Sequence, residues 1–253
     1  MIYLLWIIGI TASFLIVMFK EAFRNEVKKE YIVLPSFPGE EPFSLFFISD
    51  IHRRIVHPSI IEEVKGKADL VIIGGDLAEK GVSWERIEQN IEALQTIAPV
   101  LFVWGNNDYE LEQNTFHALL EKLNVIYLKN RSIALKIKGG EEVYLCGVDD
   151  LSKGKSDKEK TFKDVPPSTF KLLISHNPRF VAKLREEDQV SLVLSGHTHG
   201  GQIRLFGLGM YEKGGWRSIG NIKMLVSNGY GTTSLPLRLG ARAETHLITI
   251  KKS

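Results

Sequence analysis

The chain has 253 residues, 44% of them hydrophobic and 25% charged, with a formal net charge of +2. That is enough apolar material for one good-sized domain with a full core, and it excludes a disordered or repetitive chain. So mild a positive balance also argues against a nucleic-acid binder, which needs a concentrated basic face.

Met1 to Phe19 carries no charged side chain and is broken only by Gly9, Thr11 and Ser13. As a helix it would be roughly 28 Å long, enough to cross a bilayer core. No Lys or Arg precedes residue 20 and there is no clean Ala-x-Ala, so the segment reads as a retained transmembrane anchor, 1–19, rather than a cleaved signal peptide. Gly9 and Ser13 form a small-xxx-small pair that favours helix pairing. Lys20 to Tyr31 mixes both charges and Leu34–Gly39 contains two prolines, so 20–42 reads as a juxtamembrane helix or linker and 43–253 as the folded domain. Lys20, Arg24, Lys28 and Lys29 all follow the anchor, which predicts a single-pass protein with its folded domain in the cytoplasm.

From Phe43 on, strands and helices alternate. Phe43–Ser49, Leu70–Gly74 and Val100–Trp104 are apolar runs of strand length, separated by helical patterns at Pro58–Lys65 and Ser83–Ile97. This is a βαβ series with a parallel sheet. A strand-rich section follows, with candidates at 125–128, 132–137, 142–148, 171–175, 190–195, 223–227 and 246–250. So many late strands with few helices predict an α/β fold of two sheets packed face to face under outer helices. The single cysteine, Cys146, lies in one of these runs and reads as a small buried hydrophobe.

The chemistry sits where apolar strands stop. Ser49-Asp50-Ile51-His52, Gly74-Gly75-Asp76, Gly105-Asn106-Asn107-Asp108, Ser175-His176-Asn177 and Gly196-His197-Thr198-His199-Gly200-Gly201-Gln202 each follow such a run. Ligands bind beyond the carboxyl ends of strands in open α/β sheets, so these clusters can converge on one site. They offer Asp50, His52, Asp76, Asn106, His176, His197 and His199, a set too large for one ion and suited to two with a bridging carboxylate. Oxygen and nitrogen donors without thiolate fit manganese, iron or zinc, manganese first.

Asp-x-His, Gly-Asp, Gly-Asn-x-Asp, a lone His and Gly-His-x-His, in that order, resemble the calcineurin-like metallophosphoesterase superfamily over roughly residues 43–250. The Gly-His-Thr-His-Gly-Gly-Gln stretch resembles its bacterial membrane-associated branch, which includes UDP-2,3-diacylglucosamine pyrophosphatases; the tail from Ser227 to Leu239 is similar to that branch too. The resemblance implies a four-layer αββα sandwich. It implies one divalent ion on Asp50, His52 and His199 and another on Asn106, His176 and His197, with Asp76 bridging and Asp108 steadying the Asn106 loop. It further implies hydrolysis of a phosphodiester or pyrophosphate bond in a phosphate-containing small molecule or lipid. The alternatives are an inactive metal-binding membrane scaffold and a nuclease, the latter disfavoured by the missing basic groove.

Where the family often has a His that serves the leaving group, this chain has Asn107, which is no acid at neutral pH. Arg53 is a candidate grip on a substrate phosphate. His57, His117 and His246 match no motif position and read as surface or structural. The lysine-rich stretch Lys153–Lys163 reads as a solvated loop. Ile203–Tyr211 is unusually apolar for a Gly-rich loop beside candidate ligands: it is either a buried hairpin or a contact with a membrane or acyl chain.

Overall fold

The computed structural model describes residues 1–253. Its first element is helix α1 (Ile2–Ala22), whose apolar side chains face outward along almost their whole length, only Met18 and Ala22 being buried. It is the one helix long and apolar enough to cross a membrane. Beyond it the chain builds two six-stranded sheets.

The first sheet takes β1 (Val27–Val33), β2 (Phe43–Ile48), β3 (Leu70–Ile73), β4 (Val100–Val103), β5 (Ile126–Leu128) and β12 (Thr245–Lys251), in the order β1-β12-β2-β3-β4-β5. Strands β2 to β5 run parallel, joined by α2 (Pro58–Val64), α3 (Trp84–Gln95) and α4 (Gln113–Lys122), while β12 runs antiparallel to β2 and parallel to β1. The second sheet takes β6 (Arg131–Lys136), β7 (Glu142–Gly147), β8 (Lys171–Ile174), β9 (Val190–Ser195), β10 (Gly215–Ile219) and β11 (Ile222–Val226), in the order β10-β11-β9-β8-β7-β6. A short helix, α5 (Lys158–Phe162), leads into β8.

Side-chain alternation produces the layers. In β2, Leu45 and Phe47 face the second sheet and join Ile72, Leu101, Leu145, Leu172, Leu192 and Leu225 in the inter-sheet core. Phe46 and Ile48 point the other way and pack under Ile60, Ile87, Ile91, Leu94 and Phe116 of the helices. Each such fully buried side chain contributes about 1.5–3 kcal/mol of transfer free energy. The helices start at matched caps: His57 precedes Pro58 and accepts the Ser59 N–H, Ser83 accepts the Arg86 N–H, and Glu112 accepts the N–H groups of Asn114 and Thr115. Cys146 is fully buried in a smaller cluster outside the second sheet, and burial pushes its thiol up to about 11.

The expected strands and the α/β layering are present. The linker expectation for 20–42 is corrected: α1 runs on to Ala22, and Val27–Val33 is an edge strand of the first sheet. Its lysines and glutamate disguise it, yet charges are what an exposed edge tolerates. The helix Gln113–Lys122 and the outer strand Gly215–Ile219 are further elements that the apolar pattern does not announce.

Candidate metal centre

Asp50 and His52 follow β2, Asp76 follows β3, Asn106 follows β4, His176 follows β8, and His197 and His199 follow β9. The backbone here turns sharply: φ is 55° at Asp50, 52° at His52, 50° at Asp76, 71° at His197 and 50° at His199. Left-handed conformations of non-glycine residues cost on the order of 1–3 kcal/mol each and persist only where the surroundings impose them. Here they are imposed by cross-links between strand ends. Asp50 N–H donates to Gly75 O at 3.0 Å, Ile51 N–H to Asp76 O at 2.8 Å, and Gly196 N–H to His176 O at 3.1 Å. Asp108, buried, accepts from the N–H groups of Asp76, Ala78 and Gly105 at 2.8, 3.2 and 2.8 Å.

The result is two adjoining clusters of donor atoms. Asp50, His52 and His199 form one, and Asp50, Asp76 and His176 the other. His52 Nε2 and His199 Nε2 face each other at 3.1 Å, and His199 Nε2 lies 3.4 Å from Asp50 Oδ1. His176 Nε2 lies 3.2 Å from Asp76 Oδ2 and 4.0 Å from Asp50 Oδ1, while Asp76 Oδ2 is 3.9 Å from His52 Nε2. Both carboxylates thus stand between the imidazoles of the two clusters. Asn106 and His197 sit at the rim, half-buried, with Asn106 Oδ1 2.8 Å from His197 Nδ1.

These residues fit divalent cations. His176 Nε2 is buried without a hydrogen-bond partner. Burial lowers the affinity of that imidazole for a proton, but the negative charges of Asp76, 3.2 Å away, and of Asp50 outweigh it and raise the group to about 10. The field at this nitrogen therefore calls for positive charge. His52 is likewise raised: burial opposes, and Glu79, Asp76 and Asp50 prevail. His199 is held well below its ordinary value by burial and by the charges of His52 and Arg238, which keeps it neutral, as a ligand must be. Two glycines make the close approach possible. A Cβ on Gly105 would collide with Asp76, and one on Gly196 with Asp50 and Ser49.

Two supporting residues have no role legible in the sequence, although Arg238 lies within the Ser227–Leu239 tail. Glu79 Oε2 lies 3.0 Å from His52 Nδ1, the carboxylate-behind-histidine arrangement that orients a ligating ring. Arg238, fully buried, donates to the carbonyls of His199, Asn228, Gly229, Gly231 and Ala241 and so ties the His199 turn to the 228–241 loop.

A cleft of about 660 Å³ opens over His52, Asp76, Asn106, Asn107, His197 and His199, with Ile203, Met210, Tyr211 and Leu235 on its apolar side. Asn107 donates its N–H to Asp76 Oδ1 at 2.8 Å, and its side-chain oxygen accepts from Asn106. Arg53 is not brought into this cleft. It lines a neighbouring one with Arg54 and Arg86 and is paired with Glu79. His57 caps α2, His117 stacks on Trp104 at 5.0 Å, and His246 is buried beside Glu30 and Glu244.

The family model for calcineurin-like phosphoesterases matches residues 43–201, the span that carries every one of these donors. The chain belongs to that family. This phosphoesterase is 42% identical to the uncharacterized protein YpbG of Bacillus subtilis over 92% of its own chain and 90% of that protein. It is 30% identical to a transmembrane protein with metallophosphoesterase domain from Bos taurus, over 83% of the chain and 54% of the relative. It is 28% identical to the phosphodiesterase YaeI of Escherichia coli, over 65% of the chain and 63% of the relative.

Proposed function

We propose that this metallophosphoesterase is a membrane-anchored hydrolase of phosphodiester or pyrophosphate bonds, with two divalent ions, manganese preferred. The observation that carries the reading is the placement of the Asp50 and Asp76 carboxylates between the imidazoles of His52 and His199 on one side and His176 on the other. Asp50, His52 and His199 would hold one ion and Asn106, His176 and His197 the other, with Asp76 shared. When bound, such ions neutralise phosphoryl oxygens and lower the pKa of a water toward neutrality.

The chain's own groups do the positioning. Asp108 and the Asn107 N–H fix Asp76, and Glu79 fixes His52. Asn107 lines the cleft as a hydrogen-bonding but non-acidic group, which suits a leaving group that needs no proton. The apolar wall of Met210, Tyr211 and Leu235 suits a substrate with an apolar portion, such as a nucleotide-diphospho or lipid-linked compound. The Gly196–Gln202 motif supports the membrane-associated branch, the exposed apolar α1 supports the anchor, and the lysines and arginine after it support a cytoplasmic domain. The name of YaeI supports a diesterase activity and that of the Bos taurus relative a membrane setting.

The test is hydrolysis by the purified full chain of nucleoside-diphospho conjugates, glycerophosphodiesters and phosphomonoesters, with manganese and with chelator. Turnover of diesters or anhydrides, abolished by chelator, supports the proposal. Bound metal without turnover of any of them supports a scaffold, and preferential turnover of monoesters overturns the bond class.

A further inference from the structure

The metal-centre end of the molecule is also the end where α1 arrives. Strand β1 is parallel to β12 and both oppose β2, so β1 begins where β2, β3 and β4 finish and present Asp50, Asp76 and Asn106. The last turn of α1 is fastened there. Met18 O accepts from Arg238 N–H at 3.0 Å, Glu21 O from Ala243 N–H at 3.2 Å, and Glu21 Oε2 from Gly240 N–H at 2.9 Å. The same segment holds the stretch after the His199 turn: Leu239 N–H donates to Gln202 O and Arg204 N–H to Leu239 O, each at 2.9 Å.

From that anchorage the next residues project outward. Leu205, Leu208 and Met210 are 56%, 78% and 86% exposed and Phe206 is fully exposed, with Leu235 beside them at 60%. The projection is built. Arg204 gathers the loop by donating to Gly200 O, Gly207 O and Tyr211 O at 2.9, 2.6 and 2.5 Å, and Phe206 sits at a φ of 52°, a costly conformation for a bulky residue. Of the two readings of Ile203–Tyr211, a buried hairpin or an apolar contact surface, the exposure of these side chains rules out the first. Single exposed apolar residues need no explanation, whereas a contiguous set held out against strain marks an interaction surface.

We propose that Leu205–Met210, with Leu235, is a second membrane contact that dips into the lipid interface and faces the metal-centre cleft toward the bilayer. The inference rests on α1 being a membrane anchor. Continuity selects lipid as the occupant: a helix bolted to the same segment holds this face at the membrane surface, and exposed Lys20, in the last turn of that helix, and exposed Lys213, three residues beyond Met210, carry charge suited to anionic headgroups.

The single native cysteine is buried, so Phe206→Cys supplies the accessible thiol for an environment-sensitive fluorophore in the full chain. The labelled protein is reconstituted into vesicles of phosphatidylethanolamine and phosphatidylglycerol, with and without spin-labelled quencher lipids. Ser13→Cys reports on α1, and Glu142→Cys on the β6–β7 hairpin at the opposite end of the second sheet. Expected are blue-shifted, lipid-quenched emission at 206 and 13 and unquenched, aqueous emission at 142. Quenching at 13 with aqueous emission at 206 overturns the second contact and leaves the anchor standing. Aqueous emission at 13 overturns the anchor and the inference with it. Equal quenching at 206 and 142 overturns the proposed orientation.

Discussion

Glu244 allows a stability effect to be worked from geometry. Its carboxylate is buried, accepts the Asn228 N–H at 2.9 Å, and lies 2.6 Å from Lys28 Nζ and 3.5 Å from His246 Nε2. Burial raises its pKa, but His246, the Asn228 N–H and Lys28 together outweigh burial and bring it from 4.5 to about 2. At 1.36 kcal/mol per pH unit this depression corresponds to about 3 kcal/mol. Because the folded value is the lower one, that stability is complete above pH 4.5 and is lost as pH falls toward about 2. His246 is shifted the opposite way, upward, with burial opposing and Glu244 and Glu30 prevailing; its share is present below 6.5 and lost as pH rises through its folded value. Glu244→Gln removes the acid-side contribution. In thermal melts of the detergent-solubilised full chain at neutral pH, about 3 kcal/mol is a loss of roughly 6–12 °C in Tm. The gap to the native protein should close through the acid window. Equal melting at neutral pH, or a gap that does not shrink as pH falls from 4.5, refutes the reasoning. The effect reaches the metal centre, because Glu244 secures the loop in which a Cβ on Gly229 would lie 2.7 Å from Asp50 Cβ.

Asp76→Ala removes the carboxylate proposed to bridge the two ions, which stands between His52 and His176, so metal analysis should give fewer than two ions per chain and activity should fall to background; retained turnover contradicts the proposed mechanism. Gly105→Ala forces a Cβ onto the Asp76 carboxylate and backbone nitrogen, an overpacking cost of about 1–3 kcal/mol, and should yield a folded protein with depleted metal; full metal occupancy contradicts it. Asn107→His should raise turnover of alkyl diesters more than that of anhydrides, since an alkoxide needs a proton and a departing phosphate does not; equal acceleration of both removes the leaving-group argument.

Much of this protein is local information. Apolar runs that end in Asp, His or Asn are legible because a buried strand must be apolar and its carboxyl end faces the ligand; that reading places Asp50, Asp76, Asn106, His176 and His197 at strand ends. Helix α3 is legible because Ile87, Ile91 and Leu94 repeat at helical spacing under a Ser83 cap. What tertiary structure decides is pairing and convergence. Val27–Val33 becomes a strand only because β12, far along the chain, offers it an edge. The family pattern assigns Asp50 to one ion, but the folded backbone brings it within reach of both clusters. Glu79 becomes the partner of His52, and draws Arg53 away from the cleft, through a loop approach that no spacing encodes. Arg238 is charged and still fully buried, because the carbonyls that satisfy it come from turns on either side of the metal centre. Residue type sets what each group can do chemically. Which groups meet depends on strand order, set by packing both faces of each sheet at once.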